Sequence, residues 1–153
     1  FPYQDKCNRF YDNMEQRDYL KDQIEQLGRV LGNMLAEFLR LKTAGQLYHG
    51  VTVSNEQLTE ELDLDIPTIL ALDSHSLHTY LSDRKPTPDH MEILSKYLEE
   101  TGLALVEVKP EEGEVYLLQA LSMMDMIDET TKTFSFERMH RRNRIKEVLG
   151  ETS

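Results

Sequence analysis

The sequence predicts an all-α fold: a long N-terminal helix packed on short helices and on a C-terminal helical hairpin with a closing helix. Three observations predict it. Apolar residues at Leu20, Ile24, Leu27, Leu31, Met34, Phe38 and Leu41 alternate in spacing between four and three, which is a heptad seam. Leucine, glutamate and aspartate are abundant and valine is scarce, a balance that favours helix over sheet. Capping residues stand where the periodicity restarts, as at Asp65 before Pro67, Thr87 before Pro88, and Ser135.

The first helix is expected from about Met14 to Lys42, capped by Asp12 or Asn13, with Glu15 complementing its dipole. Val30, Leu35 and Leu39 widen its seam into a second apolar stripe, which suits either an intramolecular cover or a homodimer through this helix. Gly28 and Gly32 stand inside it, each costing about 1 kcal/mol of helix propensity against alanine. They read as a flat strip where another helix approaches closely. Ahead of this helix, residues 1–13 are polar with scattered aromatics and are expected to form a flexible or loosely packed arm.

A connector is expected over 43–53, with Gly45 closing the first helix and Gly50 loosening the segment after it. Ser54-Asn55-Glu56-Gln57 matches a capping box and should open a short helix reaching about Leu62. Asp65 caps a brief restart at Pro67, and Asp73 or Ser74 opens a further short helix to about Leu81, with a polar loop over 82–85. The hairpin then runs from Pro88, with Leu103 to Val108 read as helix in preference to a short strand, turns over Lys109 to Gly113, and returns from Glu114 to about Thr130. Ser135 caps the closing helix, and Gly150 fits as its terminating glycine.

A chain of 153 residues suits a single domain over 1–153. The net charge is −11, opposite in sign to the usual duplex binder and to a ligand of anionic membranes. One cysteine, Cys7, excludes an internal disulfide and any multi-cysteine metal site, and cytoplasmic localisation is the expectation. There is no apolar run of about 18 residues to span a membrane, and FPYQDKCNRF lacks the apolar core of a signal peptide.

Chemistry-bearing constellations are sparse. His75 and His78, three apart near Asp73, could share a metal and support a metal-dependent hydrolytic site. Solvent-facing or capping histidines are the simpler reading, and no cofactor is expected. Cys7 lacks any local nucleophile signature. No P-loop, G-x-S-x-G, H-E-x-x-H or dinucleotide glycine pattern is present. Met123, Met124 and Met126 cluster on one helix and read as core. The sharpest anomaly is Arg138, Arg141, Arg142, Arg144 and Lys146, with no acid between the first and the last. The remaining 12 basic and 28 acidic residues leave −16 on the rest of the chain. The plain reading is that these arginines cover neighbours such as Asp125, Asp128 and Glu129. The sharper one is a surface for an acidic protein partner, and nucleic-acid binding through the Arg138–Lys146 helix is disfavoured by the charge around it.

Asp18-Tyr19-Leu20 with Ile24-Glu25-Gln26-Leu27-Gly28-Arg29-Val30-Leu31, and Thr133-Phe134-Ser135-Phe136-Glu137-Arg138, resemble blocks of a family of small all-helical bacterial proteins known only as a domain of unknown function. The resemblance covers the chain from Asp18 onward. It implies a long first helix, short helices, a tetratricopeptide-like C-terminal hairpin and a closing helix beginning near the second block; it brings no catalytic residues. The expectation is therefore a non-enzymatic protein-interaction or scaffold module with an unidentified protein partner, Arg138, Arg141, Arg142, Arg144 and Lys146 being its candidate partner-binding surface.

Overall fold

The computed structural model describes the backbone of residues 2–152 and the side chains of residues 21–150. Among them the chain forms α1 (Pro2–Thr43), α2 (Leu47–Leu62), α3 (Ile66–Ala71), α4 (Ser74–Arg84), α5 (Pro88–Leu105), α6 (Pro110–Thr131) and α7 (Phe136–Thr152), with no strand. The predicted all-α architecture is what the chain adopts. No described helix is long and apolar enough to cross a membrane.

Helix α1 opens at Pro2 rather than near Met14, and a proline at the first helical position gives up an N–H that would be unsatisfied anyway. The side chains of the predicted 1–13 arm, with Cys7 and Leu20, lie outside the described ones. With 42 residues α1 is about 63 Å long, roughly twice the length of α5. Among the described side chains the core takes up α1 from Leu27 onward. Leu31, Met34, Phe38 and Leu41 are buried as the seam predicts, and Leu27 is half-buried. The seam places Ile24 inside, yet it is 42% exposed, because residues 21–26 face solvent all round.

Helices α5 and α6 form the hairpin on which the rest packs. Leu98, Leu117, Ala120, Met123 and Met124 are fully buried along it, so the methionine cluster fills core. Phe38 of α1 meets Tyr97 of α5 edge to face, with ring centroids 5.1 Å apart. The crossing of α5 and α6 depends on two helical glycines. A Cβ on Gly102 would lie 2.8 Å from the Leu117 side chain and 3.0 Å from the Gly113 carbonyl oxygen. Gly113 belongs to the first turn of α6, not to the loop the sequence suggests, because Pro110 opens the helix earlier. The segment 103–108 is helical only to Leu105 and then turns.

Three further boundaries differ from the sequence reading. Helix α2 begins at Leu47, and Ser54 is buried in its middle instead of capping it; Leu47 and Val51 pack on the core and carry the apolar face upstream. Gly50 accordingly marks close packing, not a loose connector: a Cβ there would meet the Leu41 Cβ at 3.3 Å. Helix α4 runs through the predicted loop to Arg84. Gly150 lies within α7 and does not end it. The caps at Asp65, Asp73 and Thr87 are as expected, each side chain accepting from the backbone N–H three residues on. Ser135 Oγ likewise accepts from the Arg138 N–H at 3.2 Å.

Candidate functional site

The charges of the arginine helix demand partners. Arg138 and Arg141 are buried, at 8% and 9% exposed. Arg138 Nε donates to Asp128 Oδ1 at 2.7 Å and Nη1 to Glu92 Oε1 at 3.0 Å. Arg141 Nε donates to Glu99 Oε1 at 2.6 Å, Nη1 to Glu92 Oε2 at 3.2 Å and Nη2 to Ser95 Oγ at 2.9 Å. Arg142 pairs with Asp128 and Asp125, and Arg144 Nη2 reaches Glu99 Oε2 at 2.5 Å and Glu100 Oε1 at 3.4 Å. Lys42 of α1 adds a 2.8 Å bond to Glu100.

Five carboxylates and five cations thus neutralise one another where α1, α5, α6 and α7 meet. The pairing has a helical logic. Glu92, Ser95 and Glu99 form one stripe of α5, and Arg138, Arg141 and Arg144 face it from α7. The plain reading of the arginines holds for Asp125 and Asp128, while the α5 carboxylates are partners the sequence does not point to. The predicted partner-binding surface needs correction on this point. Arg138 and Arg141 are interior groups, and Arg142 is mostly covered. Arg144 is half-exposed, and Lys146 faces solvent. Nucleic acid would have to compete with carboxylates already hydrogen-bonded to these guanidinium groups.

Burial pushes the Asp128 carboxyl up, but hydrogen bonds from Arg142 and Arg138 outweigh it and hold the group below its usual range. Glu100 follows the same balance, with Lys42 and Arg144 outweighing burial. Both therefore contribute stability at neutral pH that is lost as pH falls through their depressed values.

Other buried polar groups also serve the fold. Tyr97 donates to Asn55 Oδ1 at 2.6 Å while Asn55 Nδ2 donates to the Tyr116 hydroxyl at 3.2 Å, tying α2 to both arms of the hairpin. Burial raises both tyrosine hydroxyls, so both stay protonated, Tyr97 donating and Tyr116 accepting. Gln119 Nε2 donates to the Ile69 and Leu72 carbonyls, completing the C-terminus of α3 from outside it.

The histidines separate into two kinds. His75 and His78 are exposed on α4, across a shallow pocket from Asp125 and Glu129. Among the described residues no group of three or more His, Cys, Asp or Glu is placed to hold a metal ion. His90 is the opposite, at 5% exposed. Its Nδ1 accepts from the Thr87 N–H at 3.2 Å, completing a capping box with the Thr87 hydroxyl. Its Nε2 lies 3.3 Å from where a Gly28 Cβ would stand. Gly28 thus admits an imidazole rather than a helix, while nothing approaches Gly32.

Burial pushes His90 below its ordinary 6.5, against the pull of an Ile24 backbone hydrogen bond and the Asp89 carboxylate. The folded state thus disfavours the protonated ring, and stability must fall as pH drops through about 6.5. The melting temperature should decline between about pH 7.5 and 5.5, before the carboxylates titrate, and His90→Gln should flatten that decline. Parallel pH profiles for the two proteins would refute the assignment.

The apolar surface is unevenly distributed. Leu35 and Leu39, the stripe available to a homodimer, are half-buried among Lys96, Glu99, Arg141 and Arg144, so one chain already takes up much of it. An open groove of about 990 Å³ lies between Ile24, Leu27 and Val30 of α1 and Leu62 and Arg84. Of the seven large apolar side chains exposed among the described residues, five lie on α6 or in the segments flanking it. Val115 and Leu118 are on the helix. Val108 precedes it, and Phe134 and Phe136 come after it, while Tyr48 of α2 lies under the Lys109 ammonium. The two phenylalanines stack edge to face at 5.2 Å. Comparison with protein-family models, with curated proteins and with solved structures finds no match.

Proposed function

We infer that this chain is a non-enzymatic helical protein-interaction or scaffold module of the cytoplasm, and that it meets its partner along α6. The observation that carries the reading is the gathering of exposed large apolar side chains on that helix and at its ends. A core this well filled does not need to leave Leu118 48% exposed, and clustered exposure of this kind marks interaction surfaces. The resemblance of the hairpin to a tetratricopeptide pair points the same way, since such pairs present open faces to partners. The ion lattice of α7 then has a supporting role: it fixes the hairpin against α1 so that the outer face of α6 is held rigid.

The test is affinity capture from the source cell's lysate with the wild-type chain and with Val115→Lys/Leu118→Lys. Proteins retained by the first and lost by the second, at an unchanged melting temperature, are the expected result. An identical set of captured proteins overturns the α6 assignment. Turnover of substrate by the purified chain overturns the non-enzymatic reading.

A further inference from the structure

We propose that the outer face of α6 docks a basic amphipathic helical segment of a partner protein. The inference rests on the interaction reading above and names the chemistry of the partner. The face carries Val115 and Leu118, 41% and 48% exposed and one i+3 step apart. This is the spacing a partner helix reads with its own i, i+3, i+4 anchors. Within α6 the charge has one sign, exposed Lys109 and Lys132 standing at its two caps. The 22 residues of α6 contain acids and no lysine or arginine at all. Exposed Glu111 and Glu114 flank the stripe at one end and exposed Glu129 at the other.

Those three carboxylates differ from the acids that the fold uses. Asp125 and Asp128 on the same helix answer Arg142 and Arg138, and Glu112 lies 3.8 Å from Lys109. Among the described residues no cation pairs with Glu111, Glu114 or Glu129. A flanking row of lysines or arginines on an incoming helix would meet them while its apolar stripe covers Val115 and Leu118. A second copy of this chain would set acid against acid across a twofold axis, which disfavours self-pairing. The net charge of −11 steers a cationic segment towards the chain from a distance.

The probe is a synthetic helical peptide with leucines on one stripe and lysines beside it. Its lysine-to-glutamate counterpart and a scrambled peptide of identical composition serve as controls, with binding followed by fluorescence anisotropy on the full chain. The lysine peptide should bind at least about tenfold more tightly than the scrambled one and weaken with added salt. Val115→Ser/Leu118→Ser should weaken it about tenfold, and Glu111→Gln/Glu114→Gln/Glu129→Gln should remove most of the salt dependence, with melting temperatures unchanged. Equal binding of the scrambled peptide, or indifference to both sets of substitutions, overturns the proposal. So does self-association of the free chain that the serine variant abolishes, which would make a second copy the occupant. If no peptide binds while lysate capture still depends on Val115 and Leu118, the partner chemistry falls and the interaction reading survives. If that dependence is also missing, both fall.

Discussion

Replacing Glu99 with alanine is expected to cost about 3–5 kcal/mol, the range for removing one member of a buried ion pair. The Glu99 side chain is 3% exposed and takes hydrogen bonds from Arg141 at 2.6 Å and Arg144 at 2.5 Å. Without it the Arg141 guanidinium, 10% exposed, keeps Glu92 and Ser95 but is left with uncompensated charge away from water. The loss should come from that stranded charge and not from the missing contact itself. Two companion variants separate the two. Glu99→Met/Arg141→Leu removes both charges and should recover much of the loss, because apolar replacements for a buried pair are often neutral. Arg144→Ala, at a side chain 52% exposed, should cost no more than about 1 kcal/mol, as for exposed ion pairs. Denaturant unfolding of the three variants measures all of this, with Arg141→Leu alone completing the double-mutant cycle. Equal losses for Glu99→Ala and Arg144→Ala would show that the lattice is solvated.

The residues explain why some of this was legible in the sequence and some was not. The seam from Leu31 to Leu41 could be read because a heptad spacing has few alternative meanings. Its failure at Ile24 comes from length: periodicity states which face is apolar, not how far the neighbouring helices reach. Helix starts are readable at Asp65, Asp73 and Thr87, where an oxygen-bearing side chain completes the turn locally. Ends are hidden at Asp63, Lys85 and Lys132, which take the left-handed conformation at φ 54°, 51° and 52° without being glycine. A search for glycine finds Gly45, φ 78°, and mistakes Gly150. The arginines stand out as unusual but their partners do not. Glu92 and Glu99 look like any other acids in so acidic a chain until α7 is laid against α5. The same holds for Leu118, which shares the helical spacing of its buried neighbours and differs only in lying on the side that nothing covers.

Gly113→Ala should destabilise the chain by about 1–3 kcal/mol or more, the usual result of forcing atoms into a filled core. Helix propensity alone predicts the reverse, a gain of up to about 1 kcal/mol for alanine in place of a helical glycine. Geometry decides the sign. A Cβ on Gly113 would stand 2.5 Å from the Val106 nitrogen, 2.7 Å from the Val106 Cα and 2.8 Å from the Gly102 carbonyl oxygen. All three are backbone atoms, so no rotamer change relieves the clash. The hairpin itself would have to open, pulling Leu117 away from Gly102 and loosening the layer that holds Tyr97 and Tyr116 on Asn55. Gly32 supplies the control within the same protein. Nothing lies within 4 Å of its Cβ position, so Gly32→Ala should show the propensity gain undiluted. At roughly 2–4 °C per kcal/mol for a domain of this size, the two variants should melt on opposite sides of the wild type. A Gly113→Ala protein that melts at or above the wild type would mean that α5 and α6 do not cross at these glycines, and the packing assigned to the hairpin would be wrong.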